Sequence, residues 1–223
     1  MKLYRRLCTL AFLILEAILY KLILTSSGDL LVNSCFSSIV LCFVYALAML
    51  GKPLLIAALA GTVAADYFLV TYVPSWQLPG MACFLVVQAL YALFLHRQVS
   101  SSIWLVIRLS LTALIIGITL FVLKENADAL AIISVLYYAN LILNAVMAFC
   151  KFRKLPLLAL GFFFFILCDT VIGLQVASGG YLPIAPDSAL YQFLWMPVNL
   201  AWLFYLPSQV LIALASAKKG SLV

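Results

Sequence analysis

The chain has 223 residues, of which 67% are hydrophobic and only 9% are charged, and its mean hydropathy is +1.23. This composition excludes a soluble domain of this length. The formal net charge of +6 requires no nucleic-acid partner, because basic residues collect on one side of a membrane protein. We therefore expect a single integral membrane domain, residues 1–223, whose main partner is the bilayer.

Eight apolar stretches follow one another along the chain, and each is long enough to cross a bilayer. They cover residues 7–24, 30–50, 53–73, 78–95, 102–123, 128–150, 155–178 and 189–216. The predicted fold class is an all-α, polytopic membrane helix bundle of about eight transmembrane helices. Pro197 and Pro207 are expected to bend the last of them.

The thirteen basic residues predict the orientation, because Lys and Arg collect in cytoplasmic loops. If the N-terminus is cytoplasmic, ten of them lie on that side: Lys2, Arg5, Arg6, Lys52, Arg97, Lys151, Arg153, Lys154, Lys218 and Lys219. Lys21 and Lys124 lie on the other side, and Arg108 falls inside a span. Both termini are therefore predicted to be cytoplasmic, in a bacterial inner membrane or a eukaryotic endoplasmic reticulum.

Two aspartates lie deep inside apolar stretches at equivalent positions. Asp66 and Asp169 each follow a Pro-Leu-Leu segment, thirteen residues after Pro53 and Pro156 respectively. At about 1.5 Å of rise per residue, each carboxyl lies about 20 Å along its helix, near the middle of a hydrocarbon core about 30 Å thick. An ionisable side chain is costly there, so we interpret both as functional. Neighbouring carboxyls can share a proton, which suits acid–base catalysis or proton-coupled transport.

The two aspartate-containing spans match at an offset of 103 residues, and the spans that follow them also match. Gln88 precedes Arg97 by nine residues, and Gln209 precedes Lys218 by nine. A parallel 4+4 duplication explains these matches and would place a site between the two halves. Chance similarity in a leucine-rich chain is the other interpretation, and the sequence leaves the two open.

Further polar residues recur at spacings of three and four, which place each set on one helix face. The sets are Gln88 and Tyr91, then Tyr137, Asn140 and Asn144, then Tyr205 and Gln209. They either join helices by hydrogen bonds or line a lipid-binding site. Glu16 and Arg108 are expected to be structural, by pairing with each other or by reaching toward the interface. The six cysteines show no Cys-x-x-Cys spacing and His96 is the only histidine, so we expect no metal and no other cofactor.

At five short motifs the chain resembles the YhhN family of eight-helix membrane proteins, whose animal members include lysoplasmalogenase. The motifs are Lys52-Pro53-Leu54, Thr62-Val63-Ala64-Ala65-Asp66, Gln88-Ala89-Leu90-Tyr91, Gly161 through Cys168-Asp169-Thr170, and Tyr205-Leu206-Pro207-Ser208-Gln209. The resemblance runs from about residue 50 to the C-terminus. The chain departs from the family at Gln88, where histidine is common.

The resemblance implies hydrolysis of the vinyl-ether bond of a lysoplasmalogen, which yields a fatty aldehyde and a glycerophospho-head group. Protonation of the vinyl β-carbon and attack by water require a carboxylic acid beside a carboxylate, the roles assigned to Asp66 and Asp169. The expected partner is a lysophospholipid or another single-chain lipid. Residues expected to bind it are Lys52, Gln88, Tyr91, Asn140, Tyr205 and Gln209. The alternatives are a non-catalytic lipid-binding protein, a proton-coupled carrier that uses the same aspartates, and a lipid-modifying enzyme with an ester substrate.

Overall fold

The computed structural model describes residues 2–71, 76–99, 102–123, 128–178 and 184–217, and these residues form helices and turns without a strand. The helices are α1 (Lys2–Thr25), α2 (Gly28–Ala48), α3 (Pro53–Asp66), α4 (Gln77–Val99), α5 (Ser102–Leu123), α6 (Ala129–Cys150), α7 (Pro156–Ser178), α8 (Ala189–Leu194) and α9 (Leu200–Ser216). A π-helical turn, Tyr67–Thr71, continues α3.

Seven helical segments in the described part of the chain are long and apolar enough to cross a membrane, namely α1 to α7, with α3 counted together with its π-helical turn (Pro53–Thr71), and α9 is a shorter apolar helix. The predicted class, an all-α polytopic bundle, is confirmed, and the chain is an integral multi-pass membrane protein. Proline begins α3 at Pro53 and α7 at Pro156. Proline is tolerated in a first helical turn because the missing N–H would have no intrahelical partner there.

The eighth predicted span, residues 189–216, is not one helix. It is divided into α8 and α9 by residues 195–199, which include Pro197. Proline cannot donate a helical hydrogen bond and disfavours helical geometry in the residue before it, so the chain turns there. The 17 residues of α9 span about 26 Å, slightly less than the hydrocarbon core.

Pro207 lies inside α9 and supplies no N–H to the carbonyl of Leu203, four residues earlier. The hydroxyl of Tyr20 in α1 donates a hydrogen bond to that carbonyl over 3.0 Å. A side chain of another helix therefore satisfies the backbone group that the proline leaves unpaired, as is common for proline in membrane helices.

The substitution Tyr20→Phe is expected to lower the free energy of unfolding by about 1 kcal/mol, because it removes this hydrogen bond. In a Pro207→Ala background the same substitution should cost less, because a backbone N–H can then reach the Leu203 carbonyl. Unfolding of the four proteins in detergent measures this difference. An equal cost in both backgrounds would contradict the assigned role of Tyr20.

Six helices pack in a closed ring, in the order α2, α3, α4, α6, α7 and α9, with α9 returning to α2. Outside the ring, α1 packs against α2, and α5 packs against α6. In the apolar stretch of α5 only 6% of the residues are buried, compared with 39% in the corresponding stretches of α4 and α6. Helix α5 therefore faces lipid, whereas the ring encloses the interior of the protein.

The order of packing repeats after four helices. The pairs α1–α2, α2–α3 and α3–α4 have counterparts in α5–α6, α6–α7 and α7–α9. A parallel duplication of four helices would produce this arrangement, with a pseudo-two-fold axis through the ring. The helices that carry the two aspartates, α3 and α7, then occupy equivalent places.

One end of the bundle is basic. Lys52 caps the start of α3, Arg97 lies in the last turn of α4, and Lys151 caps the end of α6. We refer to this end as the basic end. Lys124, Lys218 and Lys219 lie outside the described residues. The cytoplasmic location of the basic end stays a prediction.

Candidate functional site

Asp66 is the last residue of the α-helical part of α3, and the π-helical turn follows it directly. Single π-helical turns interrupt the regular hydrogen bonding of a helix and are frequent at functional sites. The carboxyl is 3% exposed, and its Oδ2 accepts a hydrogen bond of 2.6 Å from the hydroxyl of Tyr205 in α9. A carboxyl that is buried among apolar helices is thus oriented by one phenol.

Asp169 has a similar partner on the other side of the ring. The hydroxyl of Tyr137 in α6 donates to Oδ2 of Asp169 over 2.5 Å. The Tyr137 side chain is buried, whereas Asp169 is partly exposed. The thiol of Cys168 lies beside the same carboxyl. Asp169 is therefore the more accessible of the two acids.

The two acid–tyrosine pairs, Asp66–Tyr205 and Asp169–Tyr137, converge around Phe165. The ring centroid of Phe165 lies 5.4 Å from that of Tyr205 and 6.4 Å from that of Tyr137. Each carboxyl is therefore bonded to a tyrosine whose ring lies beside Phe165. The structure thus brings together the two aspartates that the sequence placed at one depth.

Between the acid–tyrosine pairs and the basic end lies a layer of buried polar side chains from α4 and α9, which we call the amide layer. Its members are Gln88, Tyr91, Ser208 and Gln209, each completely buried. Five of their polar atoms have no hydrogen-bond partner among the described residues, namely Gln88 Nε2, Tyr91 Oη, Ser208 Oγ, Gln209 Nε2 and Gln209 Oε1. A buried polar atom without a partner costs about 1–3 kcal/mol, so such groups are typical of sites that take up water or a polar ligand.

Two of the predicted binding residues lie elsewhere. The Asn140 amide accepts a hydrogen bond from Arg108 and donates one to the carbonyl of Leu136. The Lys52 ammonium group donates to the carbonyl of Ala215 at the basic end, over 2.8 Å. Neither side chain contacts the acid–tyrosine pairs through these bonds, so their proposed role in lipid binding stays a prediction.

Of the two arrangements predicted for Glu16 and Arg108, pairing with each other is wrong. Glu16 is buried between α1 and α2, where it accepts hydrogen bonds from Ser38 and Cys42. Arg108 donates to Asn140 and to a second asparagine of α6. The two charges are apart because α1 packs against α2 whereas α5 packs against α6.

The sequence identified the aspartates but not their pairing with tyrosines or the role of Ser208, and it predicted Phe162 to Phe165 as a wall that faces lipid or an acyl chain. For Tyr137, its depth in the membrane could have indicated that it pairs with an aspartate. Tyr137 lies thirteen residues before the end of α6, about 20 Å from the basic end, which is the depth of both acids. The run of four phenylalanines did not show that Phe165 is buried between the two tyrosines, because all four residues are equally apolar.

Within the described ranges, no three His, Cys, Asp or Glu side chains are placed to hold a metal ion. The fold and this site define a polytopic helical membrane protein with two tyrosine-bonded carboxyls inside its helix ring. A family model, that of the YhhN family, matches residues 35–216, so the chain belongs to the YhhN family. Searches of curated proteins and of solved structures gave no significant match.

Proposed function

We propose that the protein hydrolyses the vinyl-ether bond of lysoplasmalogens. The observation that carries the proposal is the convergence of two tyrosine-oriented carboxyls inside the helix ring. Hydrolysis of a vinyl ether requires one proton donor and one group that directs water, held a short distance apart in an apolar surrounding that suits the lipid chain. Membership of the YhhN family supports the same substrate class.

The reaction begins with transfer of a proton to the β-carbon of the vinyl ether, which produces an oxocarbenium ion. The carboxylate that remains stabilises this cation, as the carboxylates of glycosidases do. Water adds to the carbon that bears the ether oxygen and loses a proton to the second carboxyl group, which is ionised at this stage. The first carboxylate then takes the hydroxyl proton of the resulting hemiacetal, while the second group, now a carboxylic acid, protonates the glycerol oxygen. The glycerol leaves with a hydroxyl group, the fatty chain leaves as an aldehyde, and both carboxyl groups return to their starting states.

We assign to Asp169 the role of orienting the attacking water and accepting its proton, because it is the partly exposed carboxyl. Asp66 is then the proton donor. The hydrogen bonds from Tyr137 and Tyr205 hold one oxygen of each carboxyl and leave the other for water or substrate. The unpartnered groups of the amide layer then bind the glycerol hydroxyls, which supports the proposal because these groups have no other hydrogen-bond partner among the described residues.

The direct test is release of aldehyde by the purified protein in detergent. A lysoplasmalogen with a 1-alkenyl chain should yield fatty aldehyde, whereas the 1-alkyl analogue, which has no double bond to protonate, should not react. The 1-acyl analogue tests the ester alternative. Release of fatty acid from the 1-acyl lipid without aldehyde from the 1-alkenyl lipid would replace the proposal with an esterase.

A proton-coupled lipid carrier is the second candidate, and the amide layer favours it. Asn144 donates to both the backbone carbonyl and the side chain of Gln88 and accepts from Arg108, so hydrogen-bonded polar groups continue from the amide layer to a charged side chain. Such a series of groups can relay protons. Proton flux in vesicles that depends on lipid and on Asp66, from protein that releases no aldehyde, would establish the carrier.

A further inference from the structure

A groove of about 210 Å³ lies on the lipid-facing side of the bundle, between α4, α5 and α6. Leu93, His96, Trp104, Leu105, Arg108 and Met147 line it. His96 lies in the last turn of α4, and Arg108 follows the start of α5 by six residues, about 9 Å along that helix. The groove is therefore close to the basic end, and its walls are apolar except for a guanidinium and an imidazole.

Two asparagines of α6 hold the guanidinium of Arg108 in place. Nη1 donates to Oδ1 of Asn140 over 2.6 Å, and Nη2 donates to Oδ1 of Asn144 over 2.7 Å. Nη2 also approaches the sulfur of Met147 at 3.4 Å. These partners are neutral, and no carboxylate forms an ion pair with Arg108 among the described residues. They fix the direction of the guanidinium without neutralising its charge.

A charge within the hydrocarbon region is costly unless an opposite charge compensates it. Arginine is suited to phosphate because its planar group offers several N–H donors at once. Its long side chain can reach from the edge of the hydrocarbon core to the level of the phosphates. An anion with an apolar tail matches both the charge and the walls of the groove.

We propose that this groove binds an anionic phospholipid of the surrounding leaflet, with its phosphate on Arg108 and its acyl chain along Trp104 and Leu105. The ring N–H of His96 is placed at the same groove to donate a further hydrogen bond. The occupant is a lipid of the bilayer rather than the substrate, because α4 and α6 pack against each other between the groove and the interior of the ring.

Trp104 supplies a reporter, because it lines the groove. The full-length protein is reconstituted in vesicles that contain either brominated phosphatidylglycerol or brominated phosphatidylcholine at equal mole fraction. The Trp104 signal is the fluorescence difference between the protein and its Trp104→Phe variant. Brominated phosphatidylglycerol should quench the Trp104 signal about fivefold more effectively than brominated phosphatidylcholine. One additional charge contact is expected to contribute about this factor. Equal quenching by the two lipids would overturn the proposal.

Arg108→Gln should abolish the preference, whereas Arg97→Gln should keep it, because Arg97 belongs to the same end of the bundle but does not line the groove. Equal loss in both variants would indicate general attraction to the basic end and refute a specific site. Leu105→Phe narrows the groove without removing Arg108 and should also reduce the preference, which provides a test if Arg108→Gln does not fold. Displacement of the brominated lipid by an excess of single-chain 1-alkyl lysophospholipid would assign the groove to substrate instead.

Discussion

Replacing either Asp66 or Asp169 with asparagine should lower aldehyde release by about a hundredfold to ten-thousandfold, the usual contribution of a general acid or base. Asparagine has almost the same size as aspartate and its amide oxygen can accept the hydrogen bond from Tyr205 or Tyr137. It cannot donate or accept the catalytic proton. The initial rate of aldehyde release from a 1-alkenyl lysophospholipid in detergent measures the effect.

Asp29→Asn is the matched control, because Asp29 is exposed in the first turn of α2. This variant should have the activity of the unsubstituted protein. Thermal unfolding in detergent should show all three variants folded. Full aldehyde release by both the Asp66 and Asp169 variants would refute the paired-carboxyl mechanism, whatever the family of the chain.

Gly161→Val should destabilise the protein by about 1–3 kcal/mol, as overpacking of a close contact usually does. Gly161 of α7 faces α9, and a Cβ at this position would lie 2.8 Å from the side chain of Ile212 and 3.2 Å from the carbonyl of Ser208. Separation of these helices would also move Asp169 relative to Tyr205. Aldehyde release should therefore fall in the fraction that stays folded, and unfolding in detergent measures the loss of stability.

Gly173→Val provides the comparison for this substitution within the same helix. A Cβ at Gly173 meets no atom of the described residues within 4 Å, so valine there should change stability and activity little. Equal losses in the two variants would attribute the effect to valine in a helix rather than to the contact between α7 and α9.

The sequence predicted the course of the chain through the membrane because hydropathy reports directly on transfer from water to hydrocarbon. It failed at the eighth span, where the apolar stretch continues across residues 195–199 and Pro197 lies at the break between α8 and α9. It also gave no sign of the π-helical turn after Asp66. Such a turn depends on packing against neighbouring helices, which a single sequence does not display.

The aspartates were predictable because their cost in a membrane makes them conspicuous, whereas their partners depend on which helices are neighbours. Tyr137, Asn140 and Asn144 share one helix face, yet Tyr137 reaches Asp169 and the asparagines reach Arg108. Along the helix axis, Asn140 lies about 4.5 Å and Asn144 about 10 Å from Tyr137. A helix contacts different neighbours at different heights. The offset of 103 residues between the aspartates was the most useful signal, because the order of helix packing repeats as a duplication would require.

Hydrolysis in deuterium oxide tests the central claim most directly, because the proposed reaction adds a solvent-derived proton to the vinyl β-carbon. The aldehyde released from a 1-alkenyl lysophospholipid is reduced at once with borohydride, and the alcohol is examined by mass spectrometry. The account predicts one deuterium at carbon 2 of the chain, in a reaction that Asp66→Asn and Asp169→Asn suppress. Aldehyde without deuterium at carbon 2, or labelled aldehyde at an unchanged rate from both variants, would contradict it.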